Sequence, residues 1–303
     1  MERIREFLFL RYSLVEESQG VLDSLPLPSP KGEAVIVAIN QERAFSVNGV
    51  SYSFVGFSAV EPTENSVFPE GRFWMGKLAK LRQAHVGRKV PGDIVETRED
   101  DWQPVLAIFD LQRQFIVVET DWRFGTSYQT IRALQGGLRQ PILRDYNHSI
   151  FVEGCVRKEH FWNIVESHQK IYKLEVKLIS PNILETNLSA RDALKALKEL
   201  FGQDQIKINL INEQGELSIP QNPINDYIEY IQEGEGTWSV TTEGDHGGKK
   251  THSSTDNIDK VEVVDSTPDG GMAGNEDPNY VESRDRDATV VSEIFRAIRK
   301  NYE

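Results

Sequence analysis

An Asn-Gly dipeptide at positions 48 and 49 separates two runs of aromatic and β-branched residues, AFSV at 44–47 and SYSFVGFSAV at 51–60. A type I′ turn needs positive φ at both of its central residues, and Asn-Gly is the pair that adopts it most readily. The dipeptide therefore predicts an antiparallel hairpin and fixes the direction of both of its strands.

A second hairpin is predicted in PVLAIFDLQRQFIVVET, residues 104–120, where two apolar runs flank the short polar segment DLQRQ. Both runs are apolar almost throughout, which is typical of strands that are covered on both faces. We therefore expect this hairpin at the centre of a sheet. EFLFLRYSLV at 6–15 and EAVIVAI at 33–39 predict two further strands.

GTSYQTIRALQGGLRQ, residues 125–140, predicts a helix. Thr126 or Ser127 can cap its first turn, and Gly136-Gly137 is expected to end it.

From about residue 147 strands and helices alternate. The segments are a strand at HSIFVEGCV, a helix at RKEHFWNIVESHQ, a strand at YKLEVKLIS, a helix at SARDALKALKELFG with an apolar stripe of Ala193, Leu194, Leu197 and Leu200, a hairpin at IKINLINEQGELSIP, a helix at PINDYIEYIQEG, strands at TWSVTTE and KVEVVDS, and a final helix at ATVVSEIFRAIRKNY. The expected fold class is α+β, with a β-rich antiparallel N-terminal domain (1–146) and a mixed strand-helix C-terminal domain (147–303). An acidic mobile loop is expected near 243–286.

Composition favours a folded, soluble chain, with 39% hydrophobic and 27% charged residues. No apolar run approaches the about 18 residues that cross a bilayer, so no membrane association is expected. A single cysteine, Cys155, permits no internal disulfide and lies in an apolar run typical of a core. The start of the chain lacks a secretory signal pattern, and a cytoplasmic location is expected.

The net charge of −13 is unevenly spread. Residues 1–230 carry 26 basic and 31 acidic side chains, while residues 231–303 carry 8 and 16. Most of the excess acid therefore lies in the last quarter, and a local basic surface elsewhere is compatible with an acidic chain.

Such a surface is predicted in GRFWMGKLAKLRQAHVGRKV, residues 71–90, which has six Lys or Arg, two aromatics and no acid. The stretch is compatible with a helix or a strand, and both arrangements leave cations on the surface. Cations neutralise phosphates and an exposed aromatic ring can stack on a base, so the predicted partner is DNA or RNA. The candidate contact residues are Arg72, Trp74, Lys77, Lys80, Arg82, Arg88 and Lys89. The alternative is an ordinary solvated face, partly neutralised by REDDW at 98–102.

A metal-dependent nuclease is the second interpretation. Glu175 and Lys177 alternate on a predicted strand, where Glu would bind Mg²⁺ and Lys would steady the attacking water. Asp145 and Glu153 are candidate further ligands. Outside this alternative no cofactor or metal is expected, since the sequence has no CxxC, HExxH, P-loop or GxGxxG motif.

The order of elements resembles that of a group of bacterial proteins found in phage-defence loci. The segments that carry this likeness are VLAIFDLQRQFIVVE, the following helix, IFVEG with FWNIV, KLEVKLISPN and the terminal helix. More distantly, the pattern is similar to the Rex A protein of lambdoid prophages and the B component of the Kiwa system. The resemblance implies DNA binding and a sensor or effector role in antiviral defence, as a homodimer or with a partner protein from the same locus.

The sequence thus leaves three functions open. They are non-catalytic nucleic-acid binding in antiviral defence, metal-dependent nuclease activity, and a scaffold or inhibitor role of the acidic C-terminal region.

Overall fold

The computed structural model describes residues 3–17, 24–40, 42–179, 188–232, 234–244, 247–265 and 280–302. The fold is mixed α+β, as the sequence predicts. The strands are β1 (Arg3–Glu16), β2 (Arg43–Val47), β3 (Val50–Ala59), β4 (Phe73–Val90), β5 (Asp93–Asp110), β6 (Phe115–Glu119), β7 (His148–Gly154), β8 (Ile171–Ile179), β9 (Gln205–Ile211), β10 (Gly236–Glu243), β11 (Lys249–Ser253) and β12 (Lys260–Asp265). The helices are α1 (Ile36–Ile39), α2 (Ser127–Tyr146), α3 (Lys158–Ser167), α4 (Leu188–Phe201), α5 (Gln221–Gln232) and α6 (Tyr280–Tyr302).

Eight strands form the larger sheet, in the order β12-β1-β6-β5-β4-β3-β2, with β7 also paired to β1. Helices α1 and α2 pack against one face and α6 packs against the other. The predicted 104–120 hairpin is β5 and β6, and it lies at the centre with apolar side chains in both cores. The Asn-Gly hairpin joins β2 to β3, with φ of 50° at Asn48 and 78° at Gly49.

The smaller sheet has the order β11-β10-β8-β9. One face carries Leu174, Val176 and Leu178 of β8, which pack with α3, α4 and α5 in a separate core. The opposite face carries Lys173, Glu175 and Lys177 and is polar, because side chains alternate along a strand.

Two sequence predictions about secondary structure are wrong. Residues 33–39 form a 3-10 turn followed by α1 rather than a strand. Helix α2 does not end at Gly136-Gly137 but continues to Tyr146, and Asn147 ends it in the left-handed conformation.

Gly136 and Gly137 permit close packing of α2 against the sheet and do not end the helix. A Cβ at Gly137 would lie 2.5 Å from the ring of Phe45 and 2.6 Å from that of Phe54. The two glycines therefore let α2 approach β2 and β3 more closely than a larger residue would permit.

Two further predictions fail in part. β9 pairs with β8 rather than with the segment that follows it, which makes only an isolated bridge from Glu216 to Ile171 among the described residues. In α4, Leu194 is buried, but Leu197 and Leu200 are exposed.

Segments on both sides of residue 146 build the larger sheet. β7 and β12 lie end to end along one edge of β1, opposite β6, and α6 covers a face formed largely by the N-terminal half. The two-domain division at residue 146 stays a prediction.

The described part of 243–286 contains β11, β12 and the first turns of α6 instead of a continuous loop, while residues 266–279 lie outside the described residues.

Candidate functional site

A long two-stranded arm projects from the larger sheet. β4 and β5 pair continuously from Phe73 with Asp110 to Val90 with Asp93. The neighbouring strands stop much earlier, since β3 pairs with β4 only up to Lys80 and β6 pairs with β5 only from Ala107. Residues 81–102, here called the arm, therefore pair only with each other. With about ten residues in each strand, the arm is about 30 Å long.

Pro91 and Gly92 form the tip of the arm. Gly92 has φ of 83°, which a type II turn with proline before glycine requires. None of the arm residues, all of which are described, contributes to a hydrophobic core. The sequence segment VPGD is a turn signal, and between two strands it predicts this hairpin.

The predicted basic stretch is thus a strand, and its residues divide into three groups. Arg82, Arg88 and Lys89 lie on the arm and are exposed. Lys77 is exposed on the body of the sheet. Lys80 is half-buried and donates to the carbonyl oxygen of Phe124 at 2.6 Å.

Arg72 and Trp74 lie outside the arm, on the body of the larger sheet. The guanidinium of Arg72 is buried, forms an ion pair of 2.6 Å with Asp110, and lies 4.6 Å from the ring centroid of Phe295. Trp74 is partly buried against the core beneath α2. Both side chains therefore contribute to packing.

Acidic residues of β5 lie opposite the inner half of the basic strand. Asp101 pairs with Arg82, Asp100 with Gln83 and Glu99 with Ala84. Side chains directly opposite in this way are about 5 Å apart at Cβ. The acids of REDDW therefore lie opposite the inner part of the basic strand, where Asp101 is placed to offset the charge of Arg82.

The outer half of the arm, residues 86–95, has a different character. It holds Arg88 and Lys89 with one acid, Asp93, whose carboxylate accepts from the backbone of Ile94 at 2.7 Å. Its apolar side chains Val86, Ile94 and Val95 are exposed, Ile94 by 65%. The arm is thus cationic and apolar at its end and acidic near the body.

Glu175 and Lys177 lie on the same polar face of β8, as predicted, but they do not share a site. Glu175 is held by Lys173 and Lys207, each at 2.8 Å, and these hydrogen bonds lower its pKa. Asp145 pairs with Arg144 on α2. Mg²⁺ prefers several oxygen ligands, and in the described part of the chain no three His, Cys, Asp or Glu side chains converge to hold a metal. The carboxylate of Glu175 is therefore engaged by two ammonium groups rather than by the side chains that were predicted to share a metal with it.

Lys177 instead reaches Glu153 of β7 at 3.3 Å, across the boundary between the two sheets. This pair lies in a cleft of about 370 Å³ between α2, β7 and the polar face of the smaller sheet. Arg132 and Tyr128 of α2 line one side, and Gln205 and Thr237 line the other.

Glu153 is mostly buried, and burial raises its pKa, while Lys177 and Arg132 act in the opposite direction. The Nε of Arg132 donates to the hydroxyl of Tyr128 at 3.0 Å, and its guanidinium lies 5.2 Å from the centroid of that ring. These residues come from elements far apart in sequence, so no local sequence motif predicts the cleft.

Cys155 follows β7 and is fully buried, as predicted. No helix among the described residues is both long and apolar enough to cross a membrane.

The comparisons with known proteins give one match. Neither a curated protein nor a solved structure shows significant similarity to the chain. A family model described as a domain of unknown function, DUF4747, matches residues 75–276. The matched region contains the arm, α2, the cleft and the whole smaller sheet. Because this match covers about two thirds of the sequence, the chain belongs to the DUF4747 family.

Proposed function

We propose that the protein binds double-stranded DNA without catalysing a reaction, and that the outer half of the arm is its contact surface. The observation that carries this proposal is the projection of residues 81–102 beyond the sheet, with Arg88 and Lys89 exposed near the end. An element of this kind reaches a partner that the compact body cannot approach.

The shape of the arm favours duplex DNA over duplex RNA. The major groove of B-DNA, about 12 Å wide, admits a two-stranded β-ribbon. The major groove of A-form RNA is too deep and narrow for side chains to reach its bases. Proline and aliphatic side chains at such a tip can contact thymine methyl groups or wedge between base steps, and the arm presents Pro91, Val86 and Ile94 there.

The charge pattern limits the contact to the outer half. Glu96, Glu99, Asp100 and Asp101 lie nearer the body and repel phosphates. One arm then neutralises only a few phosphates, so a single chain is expected to bind weakly and with a shallow salt dependence. Two arms on one duplex would bind much more tightly through effective concentration. We therefore expect a homodimer, or a complex with a partner protein from the same locus.

A gel-shift titration with a 30-base-pair duplex at two salt concentrations tests the proposal. Arg88→Glu with Lys89→Glu is expected to weaken binding at least about tenfold and to reduce the salt slope by about 2, since each phosphate contact contributes about one unit. The matched control reverses two exposed cations outside the arm, Lys77→Glu with Arg139→Glu, and should bind nearly as the unmodified protein does.

A shortened arm provides a second variant. Replacing residues 85–98 by Asn-Gly joins the paired residues Ala84 and Glu99 through a two-residue turn. Binding should be lost while the melting temperature stays nearly unchanged, because the removed residues contribute to no core. Absence of any shift with the unmodified protein at low salt, or equal binding by the shortened variant, would refute the proposal.

The antiviral role is a further proposal, supported by the resemblance to phage-defence proteins. Plaque assays in bacteria expressing the unmodified protein or the Arg88→Glu, Lys89→Glu variant test it. Protection that requires the two cations would support a DNA-dependent defence role, and equal plaque counts with and without the protein would contradict it. The scaffold interpretation depends on the acidic C-terminal region, residues 231–303, of which residues 266–279 lie outside the described residues.

A further inference from the structure

The cleft between the sheets has the dimensions and the chemistry of a small-molecule site. Its volume of about 370 Å³ lies within the range of about 300–1,000 Å³ that ligand pockets occupy. This volume suits one compact ligand of the size of a single nucleotide. Polar groups from α2, β7, β8, β9 and β10 converge on it. A chance gap between packed elements need not be lined in this way.

The charges in the cleft are not balanced. Lys177 and Glu153 offset each other through their ion pair of 3.3 Å. Arg132 has a neutral partner in the Tyr128 hydroxyl, bound through Nε, so the positive charge of its guanidinium is not neutralised by this bond. The terminal nitrogens of a guanidinium held in this way can form the paired hydrogen bonds that phosphate groups accept.

The remaining lining suits the neutral part of a ligand. The amide of Gln205 and the hydroxyl of Thr237 offer donors and acceptors on the side of the smaller sheet. The Glu153 carboxyl group and the Lys177 ammonium form an adjacent acceptor and donor deeper in the cleft. Tyr128, with its ring against the guanidinium of Arg132, gives a flat surface at the mouth.

We propose that the cleft binds a mononucleotide, with its phosphate held by Arg132 and its nucleoside hydrogen-bonded by Glu153, Lys177 and Gln205. This site is separate from the arm and does not depend on DNA binding. It joins α2 on the larger sheet to β8 and β9 of the smaller one, so an occupant would hold the two sheets together.

Isothermal titration calorimetry with the full chain tests the site, with the four 5′-ribonucleoside monophosphates, the four nucleosides and inorganic phosphate as probes. At least one monophosphate is expected to bind with a dissociation constant below about 1 mM, more tightly than its nucleoside and than phosphate alone. Arg132→Gln is expected to weaken this binding at least tenfold. Arg139→Gln, an exposed change two turns further along α2 and outside the cleft, should leave it unchanged.

Glu153→Gln gives a second measurement, because it keeps the size of the side chain and removes its charge. It should alter the preference among the nucleosides while leaving phosphate binding intact. Three results would each overturn the proposal. They are no binding heat with any monophosphate at concentrations well above about 1 mM, equal affinity of Arg132→Gln and the unmodified protein, and binding of inorganic phosphate as tight as that of the best monophosphate. The Arg88→Glu, Lys89→Glu variant should retain nucleotide binding, and Arg132→Gln should retain the gel shift, so the two proposals can fail separately.

Discussion

At the scale of single residues, the carboxyl groups of Glu153 and Glu175 have opposite environments. Burial raises the pKa of Glu153 above its ordinary value of 4.5, and hydrogen bonds from Lys173 and Lys207 lower that of Glu175. Between 4.5 and the raised pKa of Glu153, the folded protein binds more protons at this site than the unfolded chain. In that window Glu153 makes stability fall as pH rises, whereas Glu175 contributes stability that is lost as pH falls below 4.5.

Urea unfolding of Glu153→Gln and Glu175→Gln at several pH values checks this sign. The stability of the unmodified protein relative to Glu153→Gln is expected to decrease as pH rises from about 4.5. Relative to Glu175→Gln it is expected to increase over the acidic range. Parallel pH profiles for the two variants would show that the two carboxyl groups do not differ in this way.

The same scale shows why candidate contact residues were only partly identifiable from the sequence. Arg72 and Arg82 stand in one basic stretch with similar neighbours, yet one is buried against Asp110 and the other is exposed on the arm. What separates them is where the neighbouring strands β3 and β6 end, and that depends on pairing between distant segments. Local charge pattern contains no information about it.

At the scale of elements, patterns set by local backbone chemistry were predictable, and those set by packing were not. The Asn48-Gly49 turn and the cap of α2 at Thr126 follow from the conformations and hydrogen bonds of a few adjacent residues. The continuation of α2 through Gly136-Gly137 depends on the rings of Phe45 and Phe54, which are about 90 residues away in sequence. The glycine pair therefore predicts a helix end from its local sequence, whereas in the structure it permits close contact between α2 and the rings of Phe45 and Phe54.

Gly137→Ala tests the packing role. In an exposed helix this change stabilises by up to about 1 kcal/mol, but here the added methyl group would overlap the rings of Phe45 and Phe54. We expect a net loss of about 1–3 kcal/mol in the free energy of unfolding, measured by urea denaturation. Gln140→Ala, at an exposed position of the same helix, should have little effect. Stabilisation by Gly137→Ala would show that the helix and sheet can move apart at low cost.

At the scale of the whole molecule, the larger sheet is completed by segments remote in sequence. β1 pairs with β7 and β12 along one edge, and Phe7 and Phe9 pack beneath α6. The sequence predicted the α+β class and the central hairpin, because both are marked by hydrophobic periodicity. It did not predict this closure, since strand partners more than 200 residues apart leave no local pattern.

A fragment of residues 1–146 is therefore expected not to fold by itself. It lacks β7, β12 and α6, and so leaves one edge of β1 unpaired and one sheet face uncovered. Amide chemical-shift dispersion and the cooperativity of urea unfolding provide the measurement. Addition of residues 147–303 in trans should restore both signals, whereas a well-dispersed spectrum of the fragment alone would support an independent N-terminal domain.

The pairing of β1 with β12 also has a consequence during synthesis on the ribosome. More than 200 residues separate β1 from its partner at 260–265 and from the covering helix at 280–302, so β1 emerges well before either of them. Translation adds about 5–20 residues per second, so the apolar face of β1 stays exposed for on the order of tens of seconds before β12 and α6 are available to cover it. During this interval, nascent chains of this protein are thus expected to be bound by chaperones that hold exposed β-strands.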